Sequence, residues 1–341
     1  MMNQLRYVGN ENQLLTARRI TFRDDVAEGV RAIELRNSSG LSATCLEDQC
    51  LDLFDLSFKG INISYQTKNG LMAHRFFNGT SGEFGYHWRA GMLYTCGLSN
   101  AGASCKEGGL FHAPHGRIGV RPAKNVRMER DEKGVTISGT IRDSAIANHQ
   151  LDLERTVFFP AEGKEITICD TVVNREALPA EYMLLYHFNL GHPLLAPGCR
   201  VVKGEGPGFF KATGGELPAD WDRCYEPGDH KNEELFCHRN TADADGFAYA
   251  ALINDELGLG CYVKYSLDTL PLLMHWRSMC AHDYVIGLEP SNSYILGRTK
   301  ERENGTLPKL DGYGKANFKV GVGVLEGKEE IAAFEAMLKS L

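Results

Sequence analysis

Leu151-Asp152-Leu153-Glu154-Arg155-Thr156-Val157-Phe158-Phe159, the turn Pro160-Ala161-Glu162-Gly163 and the return Glu165-Ile166-Thr167-Ile168-Cys169-Asp170-Thr171-Val172-Val173 decide the fold class of this chain. Apolar and polar residues alternate along the first run, the two-residue period that sends alternate side chains to one face of a strand. The return run is rich in β-branched residues, and Pro and Gly punctuate the join, so the segment predicts a hairpin. A second hairpin precedes it, with Val126–Glu129 and Val135–Ile141 on either side of a turn over Asp131–Gly134. Outward from these, the same reading marks strands at Arg19–Phe22, Val30–Leu35, Leu41–Leu46, Ile61–Tyr65, Glu181–Asn189, Phe247–Ile253, Gly260–Leu267, Leu272–Trp276, Tyr284–Leu288 and Phe318–Leu325.

Helix signals are scarce. The clearest covers Lys328–Leu341, where Ile331, Phe334 and Leu338 share one face and Glu329 and Glu330 occupy the electropositive first turn. No linker, repeat or low-complexity stretch divides the chain. Gly204–Asn240, with its Gly, Pro, Asp and Glu, reads as a long surface excursion of the kind that often forms a lid or rim. The expectation is one all-β domain over residues 1–341, an antiparallel sandwich with a few short helices, one at the C-terminus.

Composition narrows the function. A chain of 341 residues with 43% hydrophobic and 24% charged residues and 37 Gly is ordinary for a turn-rich globular protein. A formal net charge of -7, with no run of Lys and Arg, argues against nucleic-acid and anionic-membrane partners. No apolar stretch is long enough to span a bilayer, and Met1–Gln13 lacks the pattern of a signal peptide. The 10 cysteines show no CxxC pair and no regular spacing, so they read as reduced thiols. A cytoplasmic protein is expected. The sequence leaves its oligomeric state open and is compatible with a homodimer.

Three short segments form one polar constellation: His112-Ala113-Pro114-His115-Gly116-Arg117, Tyr186-His187-Phe188-Asn189-Leu190-Gly191-His192-Pro193 and Gly287-Leu288-Glu289-Pro290-Ser291-Asn292. Each lies at the close of a strand-like run and is followed by Gly or Pro, which predicts side chains standing where strands meet loops. Two histidines and a carboxylate are an acid-base kit, because imidazole titrates near neutral pH and a carboxyl group in a partly apolar pocket can titrate away from its free value.

With Gly29-Val30-Arg31-Ala32-Ile33, Gly40-Leu41, Cys50-Leu51-Asp52-Leu53, Gly60-Ile61 and Tyr94-Thr95-Cys96-Gly97-Leu98-Ser99-Asn100, these segments resemble, in order and over nearly the whole chain, the galactose mutarotase-like (aldose 1-epimerase) superfamily. The resemblance is closest to its branch of epimerase-related domains of unknown function. It implies a supersandwich of antiparallel sheets with a carbohydrate site on a concave face. It further implies that Glu289 is the base on the anomeric hydroxyl, His187 the acid on the ring oxygen and His115 an assisting histidine. No cofactor is implied, and the absence of a Walker loop or a dinucleotide fingerprint agrees.

The chain departs from that pattern at Tyr186, where mutarotases have Asn before the acid, and at Gly191-His192-Pro193, so the substrate shape is expected to differ. Arg89 matches only loosely the arginine that grips sugar hydroxyls, and Asp243, Asp245 and Asp268 are indistinguishable as the gripping aspartate. Arg117 and Arg277 offer further guanidinium forks for sugar oxygens. Asn189 accompanies the acid, and Trp276 and Trp88 offer faces on which a pyranose stacks. Each choice has a structural alternative, a hydrogen-bonded core histidine for His187 and His115, a solvated turn for Glu289 and an ion pair for Arg117.

His112, His115, His187 and His192 also raise a metal site. His112-x-x-His115 on a strand would point to opposite faces, so no metal is assigned. The sequence thus supports an enzyme of the aldose 1-epimerase type acting on a small carbohydrate, or an epimerase or isomerase of another sugar or sugar acid. A sugar-binding protein without turnover is the alternative from a different class.

Overall fold

A computed structural model describes residues 5–80, 83–210 and 215–341. The first four residues of the Met1–Gln13 segment and residues 211–214 of the Gly204–Asn240 segment lie outside the described residues. His149–Pro160 pairs with Glu165–Asn174 and also with Gly134–Ala145, which pairs with Lys124–Arg130, so both predicted hairpins are neighbours in one sheet. That sheet has eight strands, continuing from Glu165–Asn174 through Lys315–Glu326, Leu259–Ser266 and Phe247–Asn254 to Arg200–Lys203. Every ladder between its strands is antiparallel, as expected of strands whose side chains alternate.

A seven-stranded sheet carries the chemistry. From one edge it runs Gly215–Glu216, Gly208–Phe210, Glu233–His238, Leu272–Cys280, Asp283–Ser291, Met183–Leu190 and Leu93–Leu98. A five-stranded sheet holds Leu15–Thr21, Arg31–Asn37, Leu41–Leu46, Asp52–Phe58 and Ile61–Asn62. One apolar core draws on all three sheets, including Ile33 and Leu56, Leu153 and Val157, and Phe188 and Leu288. The C-terminal helix Gly327–Lys339 packs Ile331, Phe334 and Leu338 onto Ala251, Ile253 and Leu325 of the eight-stranded sheet, the face predicted for it. Among the described residues no helix is long and apolar enough to cross a membrane.

Several elements differ from the sequence expectation, each for a physical reason. Leu93–Leu98 is buried at every position, so it shows no alternation to read. Gly204–Asn240 supplies three strands, and Glu233–His238 stands inside the seven-stranded sheet between Gly208–Phe210 and Leu272–Cys280. The Ile61–Tyr65 strand shortens to Ile61–Asn62, because Ser64 bridges instead to Leu190.

A cluster of charged side chains inside the sandwich is paired. Arg155, fully buried, reaches Asp52 at 2.7 Å and Asp170 at 2.7 Å. Arg89 reaches Asp52 at 3.2 Å, so two guanidinium groups face two carboxylates. The Tyr186 hydroxyl donates to Asp170 at 2.7 Å. Such a cluster is tolerable in a low-dielectric interior only because both charges and hydrogen bonds are matched.

Candidate active site

The strand Met183–Leu190 is buried along its whole length, and its pleat sorts the side chains. Leu184, Tyr186 and Phe188 enter the central core, while His187 points to the opposite face of the sheet. Its neighbour Asp283–Ser291 is aligned so that Phe188 faces Leu288 and Leu185 faces Ser291. The same register sets His187 against Glu289. The result is a contact of 3.2 Å between His187 Nε2 and Glu289 Oε1, both side chains being buried.

Two glycines make this geometry possible. A Cβ on Gly287 would fall 2.5 Å from Glu289 Oε1, so the missing side chain is the space the carboxylate occupies. A Cβ on Gly116 would fall 2.1 Å from the carbonyl oxygen of Gly97, and Gly116 has φ +74°. This lets the loop after Leu110–His112 press against Leu93–Leu98, where Gly97 donates to His115 O at 3.0 Å and accepts from Arg117 N–H at 3.0 Å. His115 itself sits at φ 57° and turns its ring to His187, with 5.6 Å between centroids.

His115, His187 and Glu289 line one cavity of about 330 Å³. Trp88 and Trp276 form part of its wall, their rings 5.1 and 5.6 Å from that of His187. Phe84, Leu235 and Ile295 add apolar surface, and Glu233 lies at an exposed position of the lining. Burial, with a smaller contribution from His115, holds His187 well below the ordinary imidazole range. An isolated imidazolium is therefore disfavoured at His187, and a proton there needs the Glu289 carboxylate beside it.

The structure brings together His187, Glu289, His115 and Trp276, but it corrects their setting. His187 and Glu289 stand within adjacent strands rather than at strand ends, and only His115 is on a loop. Four other residues expected to bind substrate do not line the cavity. Arg89 is buried and donates to Gln49, to Asp52 and to the Ala90 carbonyl. Arg277 alternates with Trp276 onto the opposite face, where it donates to Glu234 at 2.7 Å and to the Arg223 carbonyl at 3.1 Å. Arg117 donates to the Phe111 carbonyl at 2.9 Å. Asn189 is fully buried and donates to the carbonyls of Gly91 at 2.9 Å and His187 at 2.8 Å, beside His187 rather than in the cavity.

Phe84, Leu235, Ile295 and Glu233 went unmarked by sequence reasoning. Apolar wall residues carry no chemical signature, and Leu235 and Glu233 fall in the segment read as a surface excursion. Asp243 accepts from Tyr249 at 2.6 Å and from two backbone N–H groups, which closes a turn. His192 lies in a separate cavity with His282, and His112, which burial pushes down to about 4, is not in the wall. Among the described residues no group of three or more His, Cys, Asp or Glu is placed to hold a metal ion. A larger cavity of about 450 Å³ between Lys203, Trp221 and Leu338 has Glu205 and Glu335 but no histidine in its lining, and the Lys203 ammonium donates there to the Gly204 and Gly206 carbonyls.

The family described as a domain of unknown function (DUF4432) matches residues 27–324. No curated protein matches the chain in sequence. Among solved structures, a provisionally named aldose 1-epimerase from Klebsiella pneumoniae superposes with a TM-score of 0.87 at 20% identity, over 94% of this chain and 86% of the other. A galactose mutarotase-like protein from Clostridium acetobutylicum gives 0.64 at 15% identity, over 92% and 100%. Galactose 1-epimerase from Lactobacillus acidophilus gives 0.57 at 14% identity, over 92% and 99%. At these identities the likeness is one of fold, an antiparallel β-sandwich.

Proposed function

From the premise that the chain belongs to the DUF4432 family and has the galactose mutarotase-like fold, we propose that it is an isomerase of the aldose 1-epimerase type, interconverting the anomers of a free sugar. The observation that carries this reading is the 3.2 Å contact between His187 and Glu289 within a cavity walled by Trp88 and Trp276.

Opening a cyclic hemiacetal removes a proton from the anomeric hydroxyl and delivers one to the ring oxygen. Glu289, as carboxylate, takes the hydroxyl proton. The bond between the anomeric carbon and the ring oxygen breaks, its electron pair goes to that oxygen, and the oxygen takes the proton of His187 Nε2. The pair starts as carboxylate and imidazolium and ends as carboxylic acid and imidazole, so its net charge does not change. Burial, which disfavours the imidazolium, favours the donation. Rotation about the adjacent carbon–carbon bond and the reverse transfers close the ring on the other face. His115 assists from the same wall, and the indole faces receive the sugar ring. The scheme calls on no cofactor. A cytoplasmic setting accords with ten cysteines of which none forms a disulfide among the described residues.

The test is anomer exchange by NMR magnetisation transfer over a panel of aldoses, ketoses, deoxysugars and uronic acids. At least one sugar is expected to exchange faster with the protein and to lose that acceleration with Glu289→Gln. Binding without acceleration of any sugar would make the protein a carbohydrate binder instead.

A further inference from the structure

On the anomer-exchange reading of the cavity, we infer that its preferred substrate is a neutral monosaccharide lacking the hydroxyl at C6, a 6-deoxyhexose, and that sugar acids and sugar phosphates are turned away. The charge pattern supplies the first part. Glu289 and Glu233 both belong to the lining, and among the described lining residues there is no lysine or arginine. The three arginines that the sequence offers are committed to protein acceptors, as described above. Lys68 and Lys231, on loops beside this face, are both held by Asp283, at 2.8 and 3.0 Å. A carboxylate or phosphate entering the cavity would lose water, meet the Glu233 and Glu289 charges and find no cation but the His187 imidazolium already paired with Glu289, which is discrimination by repulsion.

The hydrogen-bond inventory supplies the second part. His187 and Glu289 are occupied with the ring oxygen and the anomeric hydroxyl. That leaves His115, Glu233 and the indole N–H of Trp88, a buried donor without a protein partner, to meet the remaining hydroxyls. The rest of the wall is Phe84, Gly85, Leu235, Trp276 and Ile295, with the ring faces of Trp88. A hexose brings four hydroxyls, at C2, C3, C4 and C6, against the three side chains of His115, Glu233 and Trp88, and a desolvated hydroxyl without a partner is costly. Replacing the C6 hydroxymethyl by methyl removes that cost and adds apolar contact with the tryptophan and leucine surface. A cavity of about 330 Å³ lies at the small end of ligand sites, suited to one sugar ring.

The test uses the purified full chain and sugar series identical except at C6, namely 6-deoxyhexose, hexose, hexuronate and hexose 6-phosphate, in the gluco, manno and galacto configurations and both enantiomers. Two quantities are read for each, kcat/KM for anomer exchange with the parent protein and Kd with Glu289→Gln. Within the best series the 6-deoxyhexose is expected to lead the hexose by about tenfold and the hexuronate by about a hundredfold in both quantities. Glu233→Gln should narrow the gap to the hexuronate. A hexose or hexuronate that matches or exceeds its 6-deoxy partner overturns the inference. If nothing exchanges but the binding order stands, the anomer-exchange reading fails and the substrate class survives. An order reversed in binding overturns the class whatever the exchange shows.

Discussion

Nε2 of His187 and Oε1 of Glu289 lie 3.2 Å apart, brought there by two antiparallel strands whose register runs through Phe188 opposite Leu288. A contact made by a backbone ladder is stiffer than one made by loops, because shifting it by one residue would flip every side chain of the strand to the other face. The imidazole and the carboxylate are thus fixed relative to each other, and of the three groups only His115 rides on a loop.

Removing either partner should leave the sandwich intact and the reaction slow. Glu289→Gln and His187→Asn are each expected to lower kcat for anomer exchange by about 10²- to 10⁴-fold, the usual contribution of one acid or base. Circular dichroism and the urea midpoint check that the fold is kept. Near-parental turnover in either variant would remove that residue from the chemistry.

Gly287→Ala tests the space under the carboxylate. The new Cβ would lie 2.5 Å from Glu289 Oε1 and 3.1 Å from the Cβ of Trp276, so the carboxylate must swing away from His187. A displacement of about 1 Å at a reacting group costs about a hundredfold in rate, so kcat should fall by that order while the chain remains folded. Gly9→Ala, with nothing within 4 Å of the added carbon, is the control and should keep its turnover.

How much of this was legible in the sequence depended on periodicity. The two hairpins and the C-terminal helix were readable because their side chains alternate or recur at the helical period, and the structure has them nearly as expected. Leu93–Leu98, buried on both faces, and Glu233–His238, flanked by Gly- and Pro-rich loops, carried no such rhythm. In the site, imidazole and carboxylate announce themselves by chemistry, and the sequence placed His115, His187 and Glu289 on one list that the fold turns into one cavity. Arginine does not sort itself in this way. Arg89 and Arg277 look like sugar-gripping side chains in one dimension, and only the pleat and the positions of Asp52 and Glu234 reveal that their donors are spent on the protein.

The buried cluster beneath the site should dominate stability. Arg155→Met leaves Asp170 facing the Tyr186 hydroxyl and Asp52 facing Arg89, with one positive charge for two carboxylates. Breaking a buried ion pair from one side costs about 3–5 kcal/mol, which urea unfolding would read as a lower midpoint at an unchanged slope. Tyr186→Phe removes a single donor to a charged acceptor and should cost about 1.5–3 kcal/mol. If Arg155→Met unfolds at the parental urea concentration, the cluster is not the stabilising element described.

Acid should weaken the fold through its histidines before it reaches the carboxylates. His275, packed between Phe236 at 5.1 Å and Trp221 at 6.0 Å, is pushed down to about 3, first by burial and then by the charge of Arg277. His238, stacked on it at 5.8 Å, is also held well below the ordinary range, chiefly by burial. The unfolded chain takes up protons on these rings below about pH 6.5 while the folded chain refuses them, so folding stability must fall as pH drops through that value. Each such ring contributes a loss of about 1.4 kcal/mol per pH unit until its folded value is reached, which for His275 lies near the bottom of the accessible range. Carboxylates held low by arginine, such as Glu107 at about 2, lose their contribution only in more acid solution, so the interval from about pH 6.5 to about pH 5 isolates the histidines. Unfolding free energies from urea at three pH values across that interval should decline, and His275→Phe should flatten the decline by about one proton's share. A parental stability that stays level between about pH 6.5 and about pH 5 would mean that these rings take up protons in the folded protein, and the account of their burial would fall.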